Sequence, residues 1–365
     1  MLHLDNQRVM SHDLQGTELG TVAVISLERW DEVWRRNQHL ASRLLVLGLA
    51  DHVIFVNPAS RAGADSFSPL PGITVVSPRR SLPKRLGGLR ISARSLRQTI
   101  TTGCDTLWIN DPTTGAFLTP HPRVAYDVTD DWRTADLVDR EQRRLVAAED
   151  KLTRQARVIV CSEVLRERWH RRYAVDAVIV RNAVDVCSIH KATPRILGEG
   201  GPHIGYVGTL HDERLDVELV LATADRVNGG TVHLVGPNSL SDSTRASLTS
   251  HPKVILHGSV PTSEVPSWLM GFDVLIAPHR VNQFTLSLDA IKSYEYLATD
   301  KPIVATPTSG FQELEAAGLV VTSEEFAAAV ERAVHSDEVF QREVPDWDDR
   351  TREFATVLAG GTIRG

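Results

Sequence analysis

Between Asp273 and Thr306 the chain runs through a buried apolar strand (DVLIA), a polar loop, a helix and a second buried strand (IVA). A strand that follows its predecessor through a helix crosses over the sheet and lies parallel to it. In open sheets of this kind ligands bind beyond the carboxyl ends of the strands, where this loop sits. The loop carries His279, Arg280, Asn282, Gln283, Thr285 and Ser287. A helix is expected from near Asp289 through Ala298, with Lys301-Pro302 stopping it. Its first turn, Leu288 to Ile291, would present unpaired N–H groups and the positive end of the dipole to a phosphate. Lys292 would add a full charge, and the carboxylate of Glu295 has the chemistry to accept both hydroxyls of a ribose. The plainer alternative is a crossover helix that buries Ile291, Tyr294, Leu297 and Ala298 and exposes Lys292 and Glu295 as an i,i+3 pair.

The same alternation recurs along the chain. Strands are expected at Thr21 to Leu27, His52 to Val56, Thr106 to Ile109, Arg123 to Asp127, Val158 to Cys161, His203 to Val207, Thr231 to Val235 and Leu319 to Val321. Helices are expected at Leu137 to Ala156 and, capped by Ser323, at Glu325 to His335. The 365 residues suffice for two domains. The polar, glycine-bearing stretch Val186 to Gly201 marks the boundary. A net charge of -6 gives no basic field for nucleic acid. Three scattered cysteines, Cys104, Cys161 and Cys187, form neither a zinc spacing nor a disulfide framework and suit a reducing cytoplasm. No apolar run reaches membrane-spanning length, and residues 1–20 read as a loose leader without a signal-peptide pattern.

Several segments offer chemistry. After the first strand come Glu28, Arg29, Trp30, Asp31, Trp34, Arg35, Arg36, Asn37, Gln38 and His39. Trp30 and Arg36 would suit a sugar acceptor, or else pack at a helix start. Residues 79–97 are basic, with Arg79, Arg80, Lys84, Arg85, Arg90, Arg94 and Arg97 between leucines. They suit a peripheral contact with anionic lipid at the inner face of a membrane, or an ordinary solvated helix. Asp130 and Asp131 would orient or deprotonate an acceptor hydroxyl, or cap a turn. Gly208 and Thr209 follow a strand, Gly236 another, and Arg214 would neutralise a diphosphate. The glycines of GEGGPHIG precede their strand, so the dinucleotide fingerprint is absent. Asp346-x-Asp348 reads as a helix cap. His257 and His279 lack a second ligand at zinc spacing.

KSYEYLATDKPIVAT resembles the EYLA-x-GKPVV segment of GT-B glycosyltransferases, bacterial family 4 / group 1 enzymes above all. GTLHDERLD is similar to their G-x-L-x-x-R-(L/F)-D, YDVTDDW to their YD-x-x-DDW, and VIVRNAVD to the exit from their first domain. The resemblance implies an α/β architecture of two Rossmann-like domains whose parallel sheets face a cleft. It gives an acceptor-side domain over 21–185, a linker over 186–201, a nucleotide-sugar donor domain over 202–345, and a closing helix over 346–365 anchored by Trp347. Glu295 matches the ribose-binding glutamate; the earlier glutamate of the family's E-x7-E pair is Ser287 here, and Thr299-Asp300 replaces Ala-Gly. The implied activity is that of a cytoplasmic hexosyltransferase-like enzyme of cell-envelope polysaccharide or glycoconjugate synthesis. It would move a sugar from UDP or GDP to a small-molecule, lipid-linked or polysaccharide acceptor, needing neither cofactor nor metal. Gly208, Thr209, Arg214, Gly236, His279, Asn282, Ser287, Lys292 and Glu295 would hold the donor. A nucleotide-sugar epimerase of the same fold and a non-catalytic scaffold are the alternatives; a nicotinamide oxidoreductase lacks its glycine signature.

Overall fold

The computed structural model describes residues 18–61, 65–80, 96–97, 100, 103–308, 310–311, 321–336 and 343–361. Most of the leader, most of the basic stretch 79–97 and the start of the strand expected at Leu319 lie outside these residues.

Eight strands form the first sheet: β1 (Thr21–Ile25), β2 (His52–Val56), β3 (Asp65–Phe67), β4 (Ile73–Ser77), β5 (Thr106–Ile109), β6 (Val124–Val128), β7 (Arg157–Val160) and β8 (Val178–Ile179). Their order is β3-β4-β2-β1-β5-β6-β7-β8, and only the edge pair β3–β4 is antiparallel. Helices cover both faces, which is why these strands read as continuous apolar runs. Alternation sends Val22 and Val24 to one core with Leu40, Leu44 and Phe354. Ala23 and Ile25 turn to the other, with Leu152, Leu165 and Trp169.

The second sheet contains β9 (His203–Val207), β11 (Thr231–Val235), β13 (Val254–Gly258), β14 (Val274–Ala277) and β15 (Ile303–Ala305), all parallel, in the order β13-β11-β9-β14-β15. Two short strands, β10 (Leu210–His211) and β12 (Asn238–Ser239), pair separately beside it. Helix Trp347–Leu358 crosses back to the first sheet. There Trp347 stacks on His39 at 4.8 Å and Phe354 meets Trp108 edge-on at 4.6 Å. Asp346 caps this helix by accepting the Asp348 N–H at 2.8 Å.

Two local expectations need correction. Helix 139–152 is shorter than the apolar pattern suggested. A 3-10 turn at Ser323–Glu325 stands where Ser323 was expected to cap, and helix Phe326–Val334 begins without a side-chain cap. The linker is docked: it forms the turn of helix Val186–His190, buries Ile189, and lays the Arg195 guanidinium 4.1 Å over Trp268.

Three neighbouring strands of the second sheet carry a row of imidazoles. His203 Nδ1 lies 3.0 Å from His233 Nε2, and His233 Nδ1 lies 2.9 Å from His257 Nε2. Burial, with His257 and His203 adding to it, pushes the His233 pKa down from 6.5 to about 4. The unfolded chain therefore binds a proton that the folded chain refuses. This contribution to stability is complete above about pH 6.5 and is lost as pH falls toward 4. Urea unfolding at pH 7.5 and pH 5 should show a loss of about 1–2 kcal/mol from this site, and His233→Gln should shrink it.

Candidate active site

Each sheet reverses its direction of growth at one place. In the first, β2 lies on one side of β1 and β5 on the other; in the second, β11 and β14 flank β9. Such switch points open a crevice at the carboxyl ends of the strands. The residues that follow β1 and β6 are Glu28, Trp30, Asp130 and Asp131; those that follow β9, β11 and β14 are Gly208, Gly236 and His279. Arg214 and Asp130, 3.8 Å apart, connect the two groups across the cleft. The lobes also touch where the Ser162 hydroxyl donates to Ser287 O at 2.6 Å, and where the Trp34 N–H donates to Thr262 Oγ1 at 2.6 Å.

On the second lobe, Gly208 and Gly236 hold φ values of +146° and +141°. A Cβ at Gly208 would sit 2.7 Å from Lys292 Nζ, and one at Gly236 would sit 2.3 Å from Gly208 O. Both positions therefore require glycine, and they let backbone stand beside the ammonium. Lys292 Nζ donates to Tyr206 Oη at 2.5 Å and to His279 Nε2 at 3.2 Å, and lies 3.9 Å from the centre of the Tyr206 ring. The Tyr206 hydroxyl lies 3.3 Å from Thr209 O. Lys292 thus points at the strand ends rather than into solvent. Burial, and then Arg214, bring its pKa down to about 7, with Glu295 opposing. Burial first, then Lys292 and Arg214, keep His279 neutral, so its Nε2 can accept from the ammonium.

Glu295 is half-buried, and among the described residues its carboxylate has no hydrogen-bond or ion-pair partner. Burial raises its pKa to about 7, with Lys292 opposing. An unpartnered carboxylate beside a buried cation is costly unless something completes it. The helix itself begins later than expected: it spans only Ile291–Leu297, seven residues, with Ala290 at its N-cap. Two turns give a weak dipole, so the positive charge at this end of the sheet comes from Lys292 and Arg214.

The polar loop is largely tied to itself. Asn282 Oδ1 accepts the Thr285 N–H at 2.9 Å, Thr285 Oγ1 donates to Arg280 O at 2.7 Å, and Ser287 Oγ donates to Phe284 O at 2.6 Å. Ser287 is fully buried and Asn282 exposed. These bonds shape the loop that carries Asp289. That residue's carboxylate accepts the Asn182 N–H at 2.5 Å and the Tyr294 hydroxyl at 2.8 Å, joining the lobes.

On the first lobe, two of the four candidates are built into the structure. Arg36 is buried. Its guanidinium clasps Asp127 at 3.0 and 3.1 Å and also donates to Val180 O, Arg181 O and Asn182 Oδ1. No donor remains for an acceptor molecule. Asp131, with no exposure, accepts from Arg168 at 2.7 Å and lies 3.9 Å from Arg172. Asp130 stays at the cleft, accepting from Thr129 Oγ1 at 3.0 Å. Trp30 is half-buried and edge-on to Phe55 at 5.0 Å. Sequence reasoning passed over Glu28 and Asp289. The position of Glu28, just past the first strand, was the available signal; Asp289 had none, because its partner Asn182 is 107 residues away.

The fold has counterparts among known proteins. Solved structures that superpose on the chain include the sucrose-phosphate synthase of Thermosynechococcus elongatus (TM-score 0.68, 16% identity, 93% of this chain and 94% of that one). They also include WaaG, a glycosyltransferase involved in lipopolysaccharide biosynthesis (0.67, 11%, 94% and 100%). Anabaena HepE in complex with UDP and glucose is a third (0.65, 14%, 94% and 100%). The protein thus has the GT-B fold. Residues 201–336 match the family model described as glycosyl transferases group 1. The putative teichuronic acid biosynthesis glycosyltransferase TuaH of Bacillus subtilis (strain 168) is 26% identical over 200 residues, half of this chain and half of TuaH. The chain therefore matches about half the length of that curated relative. No helix among the described residues is long and apolar enough to cross a membrane.

Proposed function

We propose that the protein transfers a sugar from a nucleoside-diphosphate sugar, with UDP or GDP as carrier, to an acceptor hydroxyl. The observation that carries this reading is the group around Lys292: its ammonium stands beside the Gly208 backbone, a second cation, Arg214, acts on it, and the Glu295 carboxylate that opposes this has no partner among the described residues. The cations would bind the diphosphate and stabilise the charge that grows on it as the bond to the sugar breaks. Glu295 would accept the ribose hydroxyls. With two side-chain cations at the diphosphate, the reading assigns that charge to the protein and requires no metal. Closure of the lobes would keep water from the donor.

HepE bound to UDP and glucose supports UDP as the carrier, and TuaH supports a cell-envelope polysaccharide as the product. A lipid-linked acceptor would bring the basic stretch 79–97 to an anionic surface. The test is a calorimetric and thermal-shift panel of UDP, GDP, ADP, dTDP and NAD. A ligand that binds only the native state raises the melting temperature. UDP or GDP is expected to raise it selectively. A shift with NAD alone would overturn the reading, and binding without sugar turnover would favour a scaffold.

A further inference from the structure

Two backbone carbonyls of the loop between β14 and helix Ile291–Leu297 are held by side chains of the other lobe. Ser287 O accepts the Ser162 hydroxyl at 2.6 Å, and Gln283 O accepts from Arg168 Nη2 at 2.9 Å. Both donors belong to helix Glu163–Tyr173, Ser162 as its N-cap and Arg168 within it. Arg168 is itself anchored: its Nη1 donates to Asp131 Oδ2 at 2.7 Å, and that carboxylate is wholly buried. A planar guanidinium fork bonds a carboxylate and a carbonyl at once from one fixed position, which the point charge of an ammonium does not. Between the two held carbonyls lies Phe284, buried, its own carbonyl accepting the Ser287 N–H at 2.9 Å and the Ser287 hydroxyl at 2.6 Å. The centre of the Phe284 ring lies 5.2 Å from the guanidinium carbon of Arg214. The Arg214 backbone is tied to the same loop, where its carbonyl accepts the Arg280 N–H at 2.8 Å.

Taking from the sugar-transfer reading above that Arg214 meets the diphosphate, we infer that Arg168 is a positioning residue that aims Arg214 through Gln283 and Phe284. The peptide that Arg168 holds joins Gln283 to Phe284, so fixing its carbonyl fixes the direction in which the Phe284 side chain leaves the backbone. The ring in turn gives the Arg214 guanidinium an aromatic face, an attraction that operates within about 6 Å. Arg214 is partly exposed, and without that face its long side chain would spread over several rotamers. Ordering it when the diphosphate arrives would then cost binding free energy. Asp130, beside Asp131 in the chain, approaches the same guanidinium at 3.8 Å. The two aspartates thus serve one cation, Asp130 directly and Asp131 through Arg168. Arg168 and Arg214 stand on different lobes, so the alignment exists only where the lobes meet. Closing the cleft is what completes the charge at the diphosphate.

The experiment is a double-mutant cycle on the full-length protein, with Arg168→Lys, Arg214→Ala and the two together. It is read by melting temperature and by the calorimetric Kd for UDP and GDP. Arg168→Lys keeps a cation for buried Asp131, which Arg172 also faces at 3.9 Å, so the variant should melt close to wild type. What it loses is the bond to Gln283 O. Its Kd should rise about tenfold in the wild-type background and less than about twofold beside Arg214→Ala, because residues that act as one unit do not add. Phe284→Leu, which stays apolar but removes the ring, should repeat this pattern, and it carries the test if Arg168→Lys fails to fold. Equal losses in both backgrounds overturn the inference and leave Arg168 as a contact that only holds the lobes together. A Kd within about twofold of wild type in Arg168→Lys overturns it too. If Arg214→Ala alone leaves the Kd unchanged, Arg214 does not meet the diphosphate, and the inference falls while nucleotide binding stands. If the wild-type protein binds neither nucleotide, the sugar-transfer reading falls and the role of Arg168 with it.

Discussion

Arg36→Met is expected to destabilise the fold by about 3–5 kcal/mol, the cost of leaving a buried charge without its partner. Arg36 and Asp127 form a bidentate pair with side chains 5% and 0% exposed, so water cannot replace the lost guanidinium. The methionine would also strip donors from Val180 O, Arg181 O and Asn182 Oδ1. Asn182 in turn holds Asp289 of the other lobe, so the damage should reach the contact between lobes. Arg36→Met combined with Asp127→Leu should recover much of the loss, because apolar residues of similar volume often match a buried ion pair in stability. Urea denaturation of the two variants checks both statements. Equal stability of Arg36→Met and wild type would show that the pair carries no weight.

That result also separates what the amino-acid sequence disclosed from what it hid. The strand-loop-helix units were legible because burial on both faces writes continuous apolar runs, and the crossovers then dictate parallel sheets. The placing of Gly208 directly after β9, and of Lys292 and Glu295 on the crossover helix between β14 and β15, could be read locally, because each follows from the strand-loop-helix order. The role of Arg36 could not. Its partner is 91 residues away, and they meet only because β5 and β6 are laid down on the far side of β1 from β2. The pairing of Asp131 with Arg168 has the same cause: the strand bearing one ends beside the helix bearing the other. The polar loop 279–287 misled for a different reason. Asn, Ser and Thr readily satisfy nearby backbone, so a polar loop at a strand end need not spend all its side chains on a ligand. Asp300 shows the opposite economy. It adopts φ +57° where the resembled family has glycine, a conformation that Asp tolerates better than most residues.

Glu295→Ala is expected to behave in the reverse way from Arg36→Met. Glu295 has no protein partner among the described residues, so its removal should leave the melting temperature of the unliganded protein unchanged or slightly higher. Binding of the nucleoside diphosphate should suffer instead. A hydrogen bond from a ribose hydroxyl to an ionised carboxylate contributes roughly 1.5–3 kcal/mol. A net loss of about 2–3 kcal/mol corresponds to roughly 30- to 150-fold in Kd. The pH dependence follows from the two neighbouring groups. Below about pH 7 Glu295 takes a proton and surrenders an acceptor, while above about pH 7 Lys292 loses the charge that faces the diphosphate. Affinity should therefore peak near neutrality. In Glu295→Ala the acid limb should vanish. The basic limb should move to lower pH, because the carboxylate that opposes the fall in the Lys292 pKa is gone. Calorimetry with UDP and GDP at pH 6, 7 and 8 reads all three features. Undiminished affinity in the alanine variant would remove Glu295 from the donor site and leave its uncompensated carboxylate without a purpose.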